Sequence, residues 1–386
     1  MDKIFFYCYP MGSPEEPYYQ DLAICLGEGL KQLGIPFYAD RNYWQLSPKS
    51  SDCLFQHDPR FGPDDCKVVI MNHQWFRGGG TIPARLFHSE RKYVTVYLDG
   101  TDDVNQTYSF EREFNQFDLI LKTHYSSKSQ YPRNFYPWAF GLSQRLLNEL
   151  DCISPWVERQ QNLLVNFRDN GSHSVRNILP KLFFPEIDKV LSVNKAGEAY
   201  EKFPSEPYHR LMWEQTGRRH YPNYYHRLQQ TAACAAFGGY FLATYPRNPA
   251  SFGSRLLRKL IDELGWHSDR VLQWDSWRFW ESLAAGCLTF QLDFAKYGLV
   301  LPVMPTNWQH YIGVDLKDVS AAVDQLKGEP ELLAKIASQG REWAIANYAP
   351  EAVAQRFLQI VASQQSRQTD AINSSGDSTL VKAAAI

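Results

Sequence analysis

The first half of the chain alternates short apolar runs with amphipathic stretches. Ile4–Tyr9 (IFFYCY) reads as a buried strand, Asp21–Leu33 follows with apolar residues at helical spacing and stops at Gly34, and Pro36–Ala39 reads as a second strand. Lys67–Met71, Tyr93–Leu98 and Phe117–Lys122 repeat the theme. These runs are apolar on nearly every residue and are separated by helix-length connections, which marks parallel strands covered on both faces. The pattern predicts a Rossmann-like domain over residues 1–148.

The pattern then restarts. Asn162–Phe167 (NLLVNF) opens a new strand and runs into a polar loop, RDNGSHSVR. Phe184 to Arg227 shows few clear periods and reads as an insertion or a set of short helices. Leu228–Phe237 (LQQTAACAAF) reads as a small-residue helix ending at Gly238-Gly239. The most legible stretch is Val271–Asp293: helical spacing from Arg278 to Ala285, Gly286 placed to end the helix, and a strand at Cys287–Leu292. A helix at Val319–Leu326 and a helix pair from Glu331 to about Ala362 complete a second domain over 149–364. Residues 365–386 are polar and aperiodic and are predicted to be a disordered tail.

Composition sharpens this only in places. The chain's 386 residues suit two α/β domains, and 44% hydrophobic with 21% charged residues excludes wholesale disorder. Forty basic against forty-two acidic side chains leave a net charge of −2. No global field therefore draws the protein to nucleic acid or an anionic membrane, nucleic acid is not expected as a partner, and any bound anion must be held locally. The 22 Tyr and 11 Trp suit core packing and sugar or base stacking alike. No apolar run approaches the roughly 18 residues of a transmembrane segment, and MDKIFFYCYPMGSPEEP reads as a first strand, not a secretory signal. Seven scattered cysteines without a CxxC spacing read as buried free thiols, so a reducing, cytoplasmic setting is expected.

The candidate chemistry lies between Asp275 and Cys287. Asp275 or Ser276 can cap the helix, leaving first-turn N–H groups to face an anion. Arg278 lies in that first turn, where it opposes the helix dipole but can add charge-assisted bonds to a phosphate. Glu281, three residues on, shares its face and can accept hydrogen bonds from a vicinal diol such as a ribose. The same spacing would also suit a solvated ion pair on an ordinary amphipathic helix.

Ser276-x-Arg278-x-x-Glu281-Ser282-x-x-Ala285-Gly286-Cys287 resembles the C-terminal-domain signature of GT-B glycosyltransferases, nearest the exostosin-like and CgeB-like members with their Ser-x-Arg-x-x-Glu-Ala-x-x-x-Gly-Cys pattern. Ser282 stands where alanine is usual. The segments Gly340–Ala344, Asn347–Ala352 and Arg356–Leu358 are similar to the closing helices of such enzymes, so the likeness spans about the last third of the chain. The resemblance implies GT-B architecture, two facing Rossmann-like parallel-sheet domains with a C-terminal helix pair. It also implies sugar transfer from a nucleotide-diphosphate-sugar to an acceptor hydroxyl on a glycan, lipid or protein, with no cofactor. It puts the ribose on Glu281 and the diphosphate on Ser276 and Arg278. Arg168, directly after NLLVNF, takes the position of a further diphosphate donor, with His173 and Arg176 weaker candidates. An epimerase or phosphorylase on the same fold, or a non-catalytic sugar- or nucleotide-binding module, is the alternative.

A catalytic base for inverting transfer would come from a strand end in the first domain: His73, Asp99 or His124, with Asp99 and His73 favoured. A retaining enzyme would need none. Asp99-Gly100-Thr101-Asp102-Asp103 crowds carboxylates but reads as a turn, and no cluster has metal-ligand spacing. Gly78-Gly79-Gly80 suggests a mobile loop or a close backbone approach, and lacks the Lys-Ser/Thr of a triphosphate loop.

Overall fold

The computed structural model describes residues 3–8, 21–49, 51–101, 115–167, 174–196, 203–216, 218, 221–242, 253, 256, 257, 260, 267–327 and 330–380. The first half builds a six-stranded parallel sheet from β1 (Ile4–Tyr7), β2 (Phe37–Ala39), β5 (Val68–Asn72), β6 (Val94–Asp99), β7 (Leu119–Lys122) and β8 (Phe135–Pro137), in the order β2-β1-β5-β6-β7-β8. A small antiparallel hairpin, β3 (Tyr43–Gln45) with β4 (Cys53–Phe55), stands beside it. Side chains of a strand point alternately to its two faces, so a strand covered on both must be apolar throughout. Ile4, Phe6, Val68, Ile70, Val96 and Leu98 accordingly pack into the core on one face, with α1 (Asp21–Gln32). Phe5, Val69, Met71 and Tyr97 fill the other.

The second half repeats the plan with β9 (Gln160–Val165), β10 (Ser192–Lys195), β11 (Thr231–Ala235), β14 (Leu288–Leu292) and β15 (Ile312–Val314), all parallel, in the order β10-β9-β11-β14-β15. Short strands β12 (Tyr240–Phe241) and β13 (Val271–Leu272) pair antiparallel above it. The region from Phe184 to Arg227 contains short elements, among them β10 and the helix Pro207–Gln215.

One prediction fails here. Leu228–Phe237 is not a helix: a helix ends at Gln230 and β11 runs through Thr231–Ala235 as a central strand, entirely buried between β9 and β14. Alanine favours helix locally, but a run this short carries no decisive period, and burial in the sheet overrides propensity.

The helix centred on the candidate site spans Trp277–Ala284 and is labelled α8 below, following α2 (His73–Arg77), α3 (Gln144–Glu149), α4 (Val175–Leu182), α5 (Phe184–Ile187), α6 (Pro207–Gln215) and α7 (Asn223–Gln230). Gly286 follows it at φ 64°, where an added Cβ would stand 3.1 Å from Ile153 Cδ1. A left-handed residue in that space must be glycine. After α9 (Phe294–Tyr297) and α10 (Val319–Leu326), α11 (Pro330–Tyr348) packs on α8, where Trp280 stacks on Trp343 and meets Tyr348 at a tilt.

The last helix, α12 (Pro350–Leu380), then crosses back to the first half, where Val353, Ala354, Phe357 and Val361 join the core beneath α1. The chain thus closes on its own beginning. Where the sequence pattern predicts a disordered tail from 365, the helix continues to Leu380. Among the described residues no helix is long and apolar enough to cross a membrane. None of the seven cysteines forms a disulfide, and Cys152 alone is exposed.

Candidate functional site

In a parallel sheet the carboxyl ends of all strands lie at one edge, and ligands bind there. At that edge of the first sheet, Asn72 caps α2 by accepting from Gln74 N (2.8 Å), which presents His73 at the helix start. His73 is buried, and its Nδ1 accepts from Gly100 N at 3.3 Å. Its proton therefore sits on Nε2, and the Gln74 amide 2.8 Å away must turn its oxygen toward it.

Asp99 at the end of β6 is held differently. Its Oδ2 accepts from Lys122 Nζ at 2.8 Å and its Oδ1 from Thr101 N at 3.0 Å. Burial alone would raise this carboxyl, but the Lys122 charge and hydrogen bond outweigh it and hold Asp99 below its ordinary value. A carboxylate so paired is a poor proton acceptor, which corrects the expectation that Asp99 is an available base. Asp102 and Asp103 lie outside the described residues. His124, at φ 54°, accepts through Nδ1 from Asp275 N (3.0 Å) and so joins the two halves. The glycine triplet serves the second of its two readings: an added Cβ on Gly80 would stand 2.6 Å from Trp75 Nε1, so the backbone wraps tightly on that ring.

At the facing edge of the second sheet, α8 starts from Ser276. The expected cap is absent: Ser276 makes no side-chain capping bond, and its Oγ turns to Ala236 O (3.4 Å). Asp275 does not cap either. Its Oδ2 accepts from Phe140 N (3.1 Å) and its Oδ1 from Trp280 Nε1 (2.8 Å), so it brackets the connecting segment to α8. Burial pushes it up to about 6, against the lowering charge of His124.

Arg278 and Glu281 are 8% and 5% exposed, so the solvated ion pair of a surface helix is not what forms. The Arg278 guanidinium lies 5.9 Å over the Phe167 ring, and its Nε is buried with no hydrogen-bond partner. Arg176 covers the same ring at 5.1 Å while its Nε donates to Phe237 O (3.0 Å). Asn166 Oδ1, one residue before Phe167, is likewise buried without a partner. Burial pushes Glu281 up to about 7, despite the Arg278 charge and hydrogen bonds from Tyr224 and Tyr225.

Arg168, with Gly171, Ser172 and His173, lies outside the described residues. Arg176, weakly weighted from sequence, lies against the Phe167 ring beside Arg278. Tyr224 and Tyr225 were missed, because the region around them carries no readable period.

Glu281 also borders an open pocket between the halves, with a cavity of about 70 Å³ and with Trp44, Phe140, Arg145, Gln215, Tyr225 and Trp277 among its walls.

No protein-family model matches the chain, and no curated protein does. Among solved structures, the fold is similar to an alpha-glucosyltransferase in complex with UDP and DNA containing a HMU base. That likeness has a TM-score of 0.51 and 10% identity, and it covers 94% of this chain and 99% of that one. AviGT4, a glycosyltransferase involved in avilamycin A biosynthesis, follows at TM-score 0.49 and 13% identity over 94% and 97% of the two chains. HepE of Anabaena, in complex with UDP and glucose, follows at 0.44 and 11% over 94% and 100%. Together with the two parallel sheets, the first of these likenesses fixes the architecture as GT-B.

Proposed function

We propose that this protein transfers a sugar from a nucleotide-diphosphate-sugar to an acceptor hydroxyl without an obligatory metal. One observation carries the reading. A buried arginine with an unbonded N–H and a buried carboxylate pushed up to about 7 sit one turn apart at the uncapped start of α8. Each is unfavourable to the folded protein by itself and is relieved by a ligand. A phosphate at the helix tip receives backbone N–H groups and the Arg278 guanidinium, and a ribose diol one turn deeper donates to Glu281. Arg168 and Ser276 complete the phosphate contacts in this reading.

Charge builds on the departing diphosphate as the glycosidic bond breaks, so contacts at the helix tip strengthen in the transition state. If transfer inverts, either strand-end candidate must first give up a partner to act as base: Asp99 is held by Lys122, and the free lone pair of His73, on Nδ1, accepts from Gly100 N. The similar glucosyltransferase holds DNA, but the net charge of −2 gives this chain no global attraction to a polyanion. The acceptor is therefore taken to be a glycan, lipid or protein.

A thermal-shift screen against UDP, GDP and ADP tests the donor half of the proposal. Ligand at a hundred times Kd adds about 2.7 kcal/mol of stability to a binder. Release of nucleotide from the matching sugar donor only when acceptor is present separates a transferase from a binding module. No stabilisation by any of the three diphosphates would sink the reading.

A further inference from the structure

The pocket beside Glu281 holds two polar groups that the donor reading does not use. Arg145, on the short connecting helix α3, lays its guanidinium 4.6 Å over the Trp44 ring, and Trp44 takes φ 65°, uncommon for a bulky side chain, to offer that face. Arg145 Nη1 is buried with no hydrogen-bond partner, and among the described residues Arg145 makes no ion pair. Glu28 acts on it most strongly, but that carboxylate accepts from Gln144 N at 2.7 Å and burial pushes it up to about 7, so it is only part-charged near neutrality. Glu149, a weaker influence, accepts from Tyr208 OH (3.1 Å). On the same pocket wall Gln215 donates its amide N–H to Gln45 O (2.9 Å) and leaves Oε1 buried and unbonded.

Arg145 is partly buried and keeps its charge, and among the described residues no carboxylate lies within ion-pair distance of it, so its guanidinium is available to an anion that enters the pocket. Trp277, partly exposed on the pocket wall, supplies an aromatic face of the kind on which sugar rings stack. The pocket's other wall comes from the first-half hairpin and the connecting helix, and Arg278 does not line it.

We infer that this pocket is the acceptor subsite, and that Arg145 binds a carboxylate or phosphate carried by the acceptor sugar while Gln215 Oε1 accepts from a neighbouring hydroxyl. The inference rests on the transferase reading for the word acceptor. The anion site itself does not depend on it.

Calorimetric titration of the full-length protein with glucuronic acid, glucose 6-phosphate and glucose tests it, alongside UDP, GDP and ADP. At least one anionic sugar binds tenfold or more tighter than glucose. Arg145→Gln brings it down to the level of glucose and changes nucleotide affinity less than twofold. Gln215→Glu keeps the size of the side chain but adds a negative charge to the same wall, so it removes the anionic preference even if the arginine variant fails to fold. Equal binding of the three sugars, or a preference that survives both substitutions, overturns the inference. So does a loss of nucleotide affinity in Arg145→Gln as large as in Glu281→Gln, because the anion would then be the donor's own diphosphate. Absent nucleotide binding with an intact, Arg145-dependent anionic preference removes the nucleotide-sugar reading and upholds the anion site.

Discussion

The two facing sheet edges are built from the same materials and treat them in opposite ways. On the first edge the ionisable groups have been given partners within the fold, Lys122 for Asp99 and Gly100 N with Gln74 for His73, and Asn72 caps α2 through Oδ1 although its Nδ2 is buried and unbonded. On the second edge Arg278 Nε and Asn166 Oδ1 are buried and unbonded, and Glu281 is held near the neutral point of its titration. A buried charge that is paired contributes order, and breaking the pair is costly. A buried polar group without a partner costs stability until something binds. The first edge therefore reads as a rigid platform and the second as a site prepared for a ligand.

The contrast can be broken most forcefully at Lys122. Replacing it by methionine strands Asp99 as a buried, unpaired carboxylate and should cost about 3–5 kcal/mol in urea unfolding. Arg278→Met should cost less than that in the same assay, since its Nε leaves no hydrogen-bond partner behind and Glu281, already raised to about 7, can hold a proton once the guanidinium is gone. Equal losses would erase the distinction between the two edges.

Next in size is Glu281→Gln. A hydrogen bond to a charged group contributes about 1.5–3 kcal/mol, so nucleotide affinity should fall about ten- to a hundredfold in titration, with thermal stability unchanged or raised. Unchanged affinity would remove the ribose from this carboxylate.

The pH dependence sharpens the same point. Glu281 is raised from about 4.5 to about 7, so between those values the native state holds a proton that the unfolded chain has released. Stability must then fall as pH rises from about 4.5 to 7, by about 1.4 kcal/mol per unit for each such proton. Glu28, raised to about 7, and Asp275, raised to about 6, act in the same direction. Unfolding free energies at pH 5, 6 and 7 should show this decline, and Glu281→Gln should make it shallower. Nucleotide binding should move the other way and strengthen as pH rises through 7, because a diol donates best to the ionised carboxylate. A slope untouched by the substitution would put the shared proton elsewhere.

The smallest effect belongs to Ser276→Ala. Loss of a working N-cap costs about 1 kcal/mol, but Ser276 makes no capping bond, so less than about 0.5 kcal/mol is expected in thermal unfolding.

Much of the scaffold was legible in one dimension because its causes are local. The apolar runs at Val68, Val94 and Leu119 announce strands covered on both faces. The change from helical to strand pattern at Gly286 marks the end of α8 to within a residue. Thr231–Ala235 defeated the same method, because five small residues pack equally well as a helix or as a central strand, and only the neighbours β9 and β14 decide. The polar stretch beyond Ala362 misled in the opposite direction, since composition suggested no order where α12 continues.

The sequence by itself determined the alternation of strands and helices and the spacing of Ser276, Arg278 and Glu281 along one helix, because backbone periodicity fixes what lies within a turn. It could not determine which charges are paired. Lys122 reaches Asp99 across 23 positions, Tyr224 and Tyr225 come to Glu281 from a helix more than fifty residues earlier, and Arg145 and Gln215 meet in one pocket from opposite sides of the second domain's first strand. Desolvation and partnership depend on what the rest of the chain brings alongside, and that was decided only when the two sheets came together.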